Sequence, residues 1–355
     1  MRGKANVLIT NSPSSNSLAP IVSLENVEKS YGAFRAVNNV SFDVFPKEIF
    51  GFLGPNGAGK TSTLRMLLDI IQPSKGQVMV LGSNSAISVR HKIGYLPEER
   101  GLYRKMKAVD TIAYFARLRG VPGKEAKRRA YELLEEFGLG DFARSKNEAM
   151  SKGMAQKVQL LATLAHKPEL LILDEPFSGL DPINQHVLEA LIRRLRDEGR
   201  TVIFSTHVME HAERLCDRFL ILAKGEKRFE GTLHEARDLF PPKLLLRTSD
   251  DISPLENAPG ILNIVEVSIE QSGEGGPSHH LHSDFAQRDF ECELERGADV
   301  QMILKFAFER GIALTRFEHA RTSLHDIFVS LAGDEPHTPG AVHSKKGNQN
   351  KEVAA

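Results

Sequence analysis

The sequence predicts an α/β fold with a parallel sheet at its centre, and three short apolar segments carry that prediction. Ile49-Phe50-Gly51-Phe52-Leu53, Leu170-Leu171-Ile172-Leu173 and Val202-Ile203-Phe204-Ser205 are nearly continuous hydrophobic runs of strand length, the pattern of strands buried on both faces. Each ends in residues of a different kind: a glycine-rich stretch, a pair of acids, and a lone histidine. The ends of parallel strands are where sheets of this class hold ligands.

In chain order, residues 1–19 are rich in Ser, Asn and Pro and read as a mobile leader. From Ile21 the alternation of Val40, Phe42 and Val44 suggests half-exposed antiparallel strands ahead of the parallel core. The first buried strand then runs into Gly54-Pro55-Asn56-Gly57-Ala58-Gly59-Lys60-Thr61. Leu64, Leu67, Leu68 and Ile71 follow at helical spacing, so the glycines lie on a strand-loop-helix turn. Such a loop cradles phosphate. Without side chains at Gly54, Gly57 and Gly59 the backbone can adopt left-handed angles and approach a ligand, and the first helical N–H groups face an anion. Lys60 supplies a point charge for the outer phosphates and Thr61 a hydroxyl for magnesium.

Between about residue 100 and residue 165 the pattern turns helical, with Ala126, Ala130, Leu133, Leu134 and Phe137 as one apolar stripe expected to be core packing. The second buried strand ends in Asp174 and Glu175. Consecutive side chains of an extended strand point to opposite sides, so one carboxylate can hold magnesium and the other approach the γ-phosphate. Asp174 is the expected magnesium residue and Glu175 the general base. The third strand leads through Thr206 to His207 at the start of another helix, placed to contact the γ-phosphate.

On these residues the chain resembles the nucleotide-binding subunits of ATP-binding cassette (ABC) transporters over roughly residues 20–240, a phosphate-loop NTPase cassette with an antiparallel β subdomain and a helical subdomain. Tyr31, in Lys29-Ser30-Tyr31-Gly32, matches the aromatic residue that stacks on adenine in that family. Met150-Ser151-Lys152-Gly153-Met154 matches the family signature, with Lys152 and Met154 departing from its commonest letters. Ser178-Gly179-Leu180-Asp181-Pro182 matches the loop along the dimer seam. The resemblance implies ATP and Mg2+ as ligands, with Gly54 to Thr61 and Ser62 around the phosphates. It further implies a second cassette chain, because the signature closes on the ATP of the partner. Ser151 and Gly153 would then donate to the opposite γ-phosphate. Ile93-Gly94-Tyr95-Leu96-Pro97-Glu98 matches the loop joining core to helical subdomain, where most members carry Gln instead of Glu98. Because a carboxylate suits a hard cation at least as well as an amide, Glu98 is a candidate magnesium ligand.

Composition adds limits. Basic and acidic residues balance at 46 each, so no overall electrostatic footprint for nucleic acid is present. Cys216 and Cys292 form neither a disulfide framework nor a metal spacing, and both are expected to be reduced thiols in a cytoplasmic protein, Cys216 on the apolar face of the helix after His207. No apolar run approaches the ~20 residues of a membrane span, so the resemblance to transporter subunits implies a separate membrane permease and a peripheral position on the cytoplasmic face of the cell membrane.

Beyond Phe240-Pro241-Pro242 the composition shifts, and residues 243–333 read as strand, strand, strand, helix, strand, helix, a small α+β domain with Val300, Ile303, Leu304 and Ala307 as its clearest helical face. Its end, Ser323-Leu324-His325-Asp326-Ile327-Phe328, resembles the ending of export-type subunits. His279, His280 and His282 are expected to be solvated loop residues, and residues 334–355 a disordered tail. The rival to a transport ATPase is a soluble cassette ATPase acting on nucleic acid, the ribosome or an assembly process. Only about 90 residues separate Lys60 from Ser151, too few for the coiled coils of repair-type cassettes, and there is no second phosphate loop as in translation-type chains.

Overall fold

The computed structural model describes residues 19–99, 101–267 and 287–333. The expected leader up to residue 18, the expected tail and His279, His280 and His282 lie outside them. Two compact units emerge, one ending at Thr232 and the other starting at Leu233.

The first unit opens with β1 (Val22–Tyr31) and β2 (Phe34–Val44), an antiparallel pair whose other edge is taken by β4 (Lys75–Val80). Val40, Phe42 and Val44 are buried while Ser41 and Asp43 are half exposed, as the alternation predicted. Phe42 meets two rings of β3 (Ile49–Leu53), Phe50 at 5.8 Å and Phe52 at 5.0 Å between centroids. These contacts fasten the small sheet to the central one, each adding about 0.5–1.5 kcal/mol beyond its buried area.

The central sheet has six strands in the order β5 (Ile93–Leu96), β6 (Leu170–Asp174), β7 (Thr201–Thr206), β3, β8 (Arg218–Ala223), β9 (Glu226–Gly231). Every neighbouring pair is parallel except the closing β8–β9 hairpin. In register, Leu53 lies beside Thr206 and Asp174 beside Ser205. The ends of β3, β6 and β7 are therefore level, and this alignment builds the site.

Helix α1 (Lys60–Leu67) follows β3. It stops short of the predicted face through Ile71, because the chain turns at Asp69, which holds a left-handed φ of 58°. Three helices, α2 (Ala108–Leu118), α3 (Gly123–Glu136) and α4 (Lys152–Leu164), share a core of their own around Ile112, Ala126, Ala130, Leu134 and Leu161. The predicted stripe is that core, with Leu133 and Phe137 at its margin. On the opposite side from Phe42, α5 (Pro182–Asp197) lays Leu188, Leu191 and Ile192 against Leu173, Val202 and Phe204. The short α6 (Met209–Leu215) connects β7 to β8. Cys216 caps it, half buried, with its sulfur against Gly51.

The second unit begins with α7 (Leu233–Arg237), before the boundary read from Phe240-Pro241-Pro242, because α7 packs on the last helix, α9 (Leu324–Ala332). A four-stranded antiparallel sheet runs in the order β11 (Ile261–Val267), β12 (Arg288–Leu294), β10 (Lys243–Thr248), β13 (Leu314–Ala320). Helix α8 (Val300–Glu309) buries Ile303 and Ala307 on it, together with Leu246, Phe290 and Cys292. Leu304, expected on the same face, is 36% exposed.

Candidate active site

The glycine-rich loop after β3 is shaped by close approach and by handedness. A side chain on Gly54 would meet the carbonyl of Leu222 on β8 at 2.4 Å, so Gly54 is required by packing and not by a left-handed angle. Gly57 and Gly59 do take left-handed angles, φ 81° and 101°, which bring the loop round to the first turn of α1. Lys60, the first residue of that helix, is buried, and its Nζ donates to the carbonyls of Gly54 at 2.6 Å and Pro55 at 3.3 Å. Pro55, Asn56 and Gly57 are exposed, Ala58 is buried, and Thr61 and Ser62 are half buried on the outer turn.

Asp174 and Glu175 diverge by a different route from the one an extended strand provides. Glu175 has left β6 and holds φ 47°, a left-handed angle costing a non-glycine residue on the order of 1–3 kcal/mol. Its N–H donates to Ser205 Oγ at 2.9 Å, while Ser205 Oγ–H donates to Asp174 Oδ1 at 2.5 Å. One serine therefore fixes the carboxylate of Asp174 and the backbone of Glu175. The Glu175 carboxylate, 10% exposed, lies with Oε1 3.8 Å from Lys60 Nζ and with Oε2 accepting from His207 Nδ1 at 3.0 Å. A carboxylate only accepts, so the proton is on Nδ1.

Burial drives the electrostatics. Loss of water lowers the Lys60 pKa, a change opposed by Glu175, Asp174 and Glu98. Burial likewise raises Asp174, opposed by its bond from Ser205 and reinforced by Glu98 and Glu175. Tyr95 is pushed up to about 12 by burial and by the charge of Asp174. Glu98, Asp174 and Glu175 line one cleft with Gln156 and Gln159. Three acids thus face one buried ammonium.

A magnesium ion fits this excess of negative charge. Among the described residues no group of three or more His, Cys, Asp or Glu side chains forms a cage by itself. Mg2+ is normally held by one or two carboxylates plus substrate phosphates and water, a role open to Asp174, Thr61 and Glu98.

Of the residues singled out in the sequence, the structure gathers Lys60, Asp174, Glu175 and His207, with Glu98 on the same cleft. Tyr31 and Ser151 make no hydrogen bond or ion pair with that group among the described residues. Tyr31, 48% exposed, ends β1 with Lys29 Nζ 5.3 Å from its ring centre. It belongs to the hairpin whose second strand sets the Ala36 carbonyl against Gly59. Ser151 caps α4, its Oγ accepting from Met154 N–H at 3.3 Å, and Gly153 lies in the first turn. Ser205 and Gln159 were not singled out, and Gln156 only as a residue continuing the signature pattern, without a role at this cleft. Gln156 Nε2 donates to the Pro176 carbonyl at 2.8 Å, just beyond Glu175, and Gln159 Nε2 donates to the Glu99 carbonyl at 3.2 Å, just beyond Glu98. Only their i, i+3 spacing on the helix after the signature hinted at a shared face.

A family model for ABC transporters matches residues 37–178. The chain is 37% identical over 314 residues to an uncharacterized ABC transporter ATP-binding protein, YhaQ, of Bacillus subtilis, spanning 88% of this chain and 99% of that one. To the Nod factor export ATP-binding protein I of Burkholderia thailandensis it is 32% identical over 322 residues, 90% and 99% of the two chains. Among solved structures, a dimeric ATP-binding cassette in a post-hydrolysis state, bound to ADP and Pi, aligns with a TM-score of 0.56 and 26% identity over 60% of this chain and 98% of that one. Phosphate loop, paired acids and histidine stand level at the ends of β3, β6 and β7, and the relatives match nearly end to end; the chain belongs to the ATP-binding proteins of ABC transporters.

Proposed function

We propose that this chain hydrolyses ATP and drives a separate membrane permease, in the export direction, through closure of two cassettes on ATP. The observation that carries the reading is the Glu175 carboxylate, nearly buried between the Lys60 ammonium and the His207 ring. A carboxylate in that position can take a proton from water beside a phosphate whose charge Lys60 offsets. No helix among the described residues is long and apolar enough to cross a membrane, which fits a peripheral subunit on the cytoplasmic face. Relatives named for Nod factor export and for linearmycin resistance support the outward direction.

In mechanism, the loop from Gly54 to Ser62 receives the phosphates at the start of α1, with Tyr31 against adenine. Lys60 exchanges its carbonyl partners for phosphate oxygens. Thr61, Asp174 and Glu98 would hold Mg2+, which when bound would supply further positive charge beside the phosphates. Glu175 orients the attacking water and accepts its proton; each carboxylate oxygen has two lone pairs, so the bond from His207 leaves room for it. His207, whose Nδ1–H donates to Glu175 Oε2, contacts the γ-phosphate. Ser151 and the Gly153 backbone complete the site of the other chain, in keeping with the dimeric cassette among the structural neighbours.

Mixed dimers test the reading. A Lys60→Ala chain paired with a Ser151→Arg chain has one site with both lesions and one with neither. Partial ATPase activity should return on mixing two inactive variants. No recovery, with heterodimers shown to form, refutes sites shared between chains.

A further inference from the structure

Four residues beyond His207, on α6, the imidazole of His211 is buried where the proposed chemistry does not use it. It is 4% exposed, and its Nδ1–H donates at 3.1 Å to Oε1 of Glu189 on α5, itself 3% exposed. Arg214 Nη2, 3.0 Å from the same oxygen, offsets the buried charge, and His186 Nδ1 lies 3.7 Å from the other. Held in that plane, the ring stacks on Phe177 at 4.0 Å between centroids and 15° between planes. Phe177 in turn meets Phe204 of β7 edge-on at 5.9 Å.

Phe177 lies two residues past Glu175, whose left-handed backbone persists only if its surroundings over-determine it. On one side the Ser205 hydroxyl accepts from the Glu175 N–H; on the other, the Phe177 ring is buried against Phe204 and His211. Helix α6, which presents His211 to Phe177, is also the helix that His207 leads into. One aromatic stack therefore connects the turn carrying Glu175 to the helix following His207.

We propose that His211, oriented by Glu189, is a positioning residue for hydrolysis: through Phe177 it keeps the Glu175 carboxylate in register with His207. The inference rests on the roles given to Glu175 and His207 above. A buried His–Glu pair that served the fold alone would affect how much chain is folded, not the turnover of each occupied site.

The test uses the full chain and ATP, with turnover expressed per nucleotide site counted by titration with a fluorescent ATP analogue. His211→Ala should lower kcat about tenfold while the KM for ATP and the number of sites stay within twofold. His211→Phe, which remakes the stack without the bond to Glu189, should recover most of kcat. Phe177→Ala combined with His211→Ala should be no slower than His211→Ala alone. The proposal is overturned if His211→Ala keeps kcat within twofold, if its sites disappear in proportion to its activity, or if His211→Phe is as slow as His211→Ala. Parent and Glu175→Gln chains run alongside: parent turnover that vanishes in Glu175→Gln upholds the ATPase reading whatever His211 shows.

Discussion

His207 donates its Nδ1–H to Glu175 Oε2 at 3.0 Å, a bond across 32 residues of sequence that joins the end of β7 to the turn after β6. Glu175→Gln keeps the shape and the acceptor oxygen but removes the carboxylate proposed as the base. Turnover should fall by about 10²- to 10⁴-fold, the usual range for a general base, with ATP binding retained. The closed dimer should then accumulate in gel filtration with ATP and magnesium. A variant that binds ATP yet elutes only as monomer contradicts either the base or the dimer.

The Lys60 ammonium sits in the combined field of the Glu175, Asp174 and Glu98 carboxylates. Lys60→Ala should weaken ATP binding by about 10- to 150-fold, since a charged hydrogen bond contributes roughly 1.5–3 kcal/mol, and should abolish hydrolysis. Equilibrium nucleotide titration measures the first and phosphate release the second. Turnover surviving at saturating ATP is incompatible with the assignment.

Glu98 opens on the same cleft as Asp174, and its charge acts on both Asp174 and Lys60. Glu98→Gln should preserve hydrolysis but require about tenfold more magnesium, equivalent to ~1.4 kcal/mol. The measurement is a magnesium titration at saturating total ATP. An unchanged midpoint removes Glu98 from the metal site.

Burial raises the Asp174 carboxyl above its ordinary 3.8. Between that value and its folded-state pKa the native chain binds more protons than the unfolded one, so this group's contribution to stability falls as pH rises through the window and then levels off. Asp174→Asn retains an acceptor for Ser205 without the charge. Without nucleotide, its Tm should match the parent's at the acid end and exceed it increasingly as pH rises, and about 1 kcal/mol already moves Tm by roughly 2–4 °C. Hydrolysis should be lost at every pH. A Tm difference independent of pH indicates that the ionised carboxylate is not the cause.

The central strands and the phosphate loop were legible because their signals are local: an apolar run, then a fixed spacing of Gly, Lys and Thr. The role of Ser205 was not, since it depends on Asp174 and Ser205 standing side by side in the sheet, which strand sequences do not specify. Glu175 was found by its neighbour and its strand, but its left-handed turn reads like any strand end. Leu304 and Ile71 fit a helical period, yet an apolar period marks which residues share a face and not how far packing covers it or where the chain turns. The boundary read from Phe240-Pro241-Pro242 followed composition, whereas the placement of α7 follows its packing on α9.

Strand β3, which carries the phosphate loop, takes both of its neighbours from beyond residue 200: Ile49 pairs with Val202, and Phe50 with Arg218. During synthesis the ribosome therefore releases this apolar strand well before anything exists to cover its edges. At about 5–20 residues per second the wait is on the order of ten seconds. For that interval the nascent chain exposes an unpaired hydrophobic edge of the kind that promotes aggregation, so chaperone capture should be strongest on chains arrested between β3 and β7.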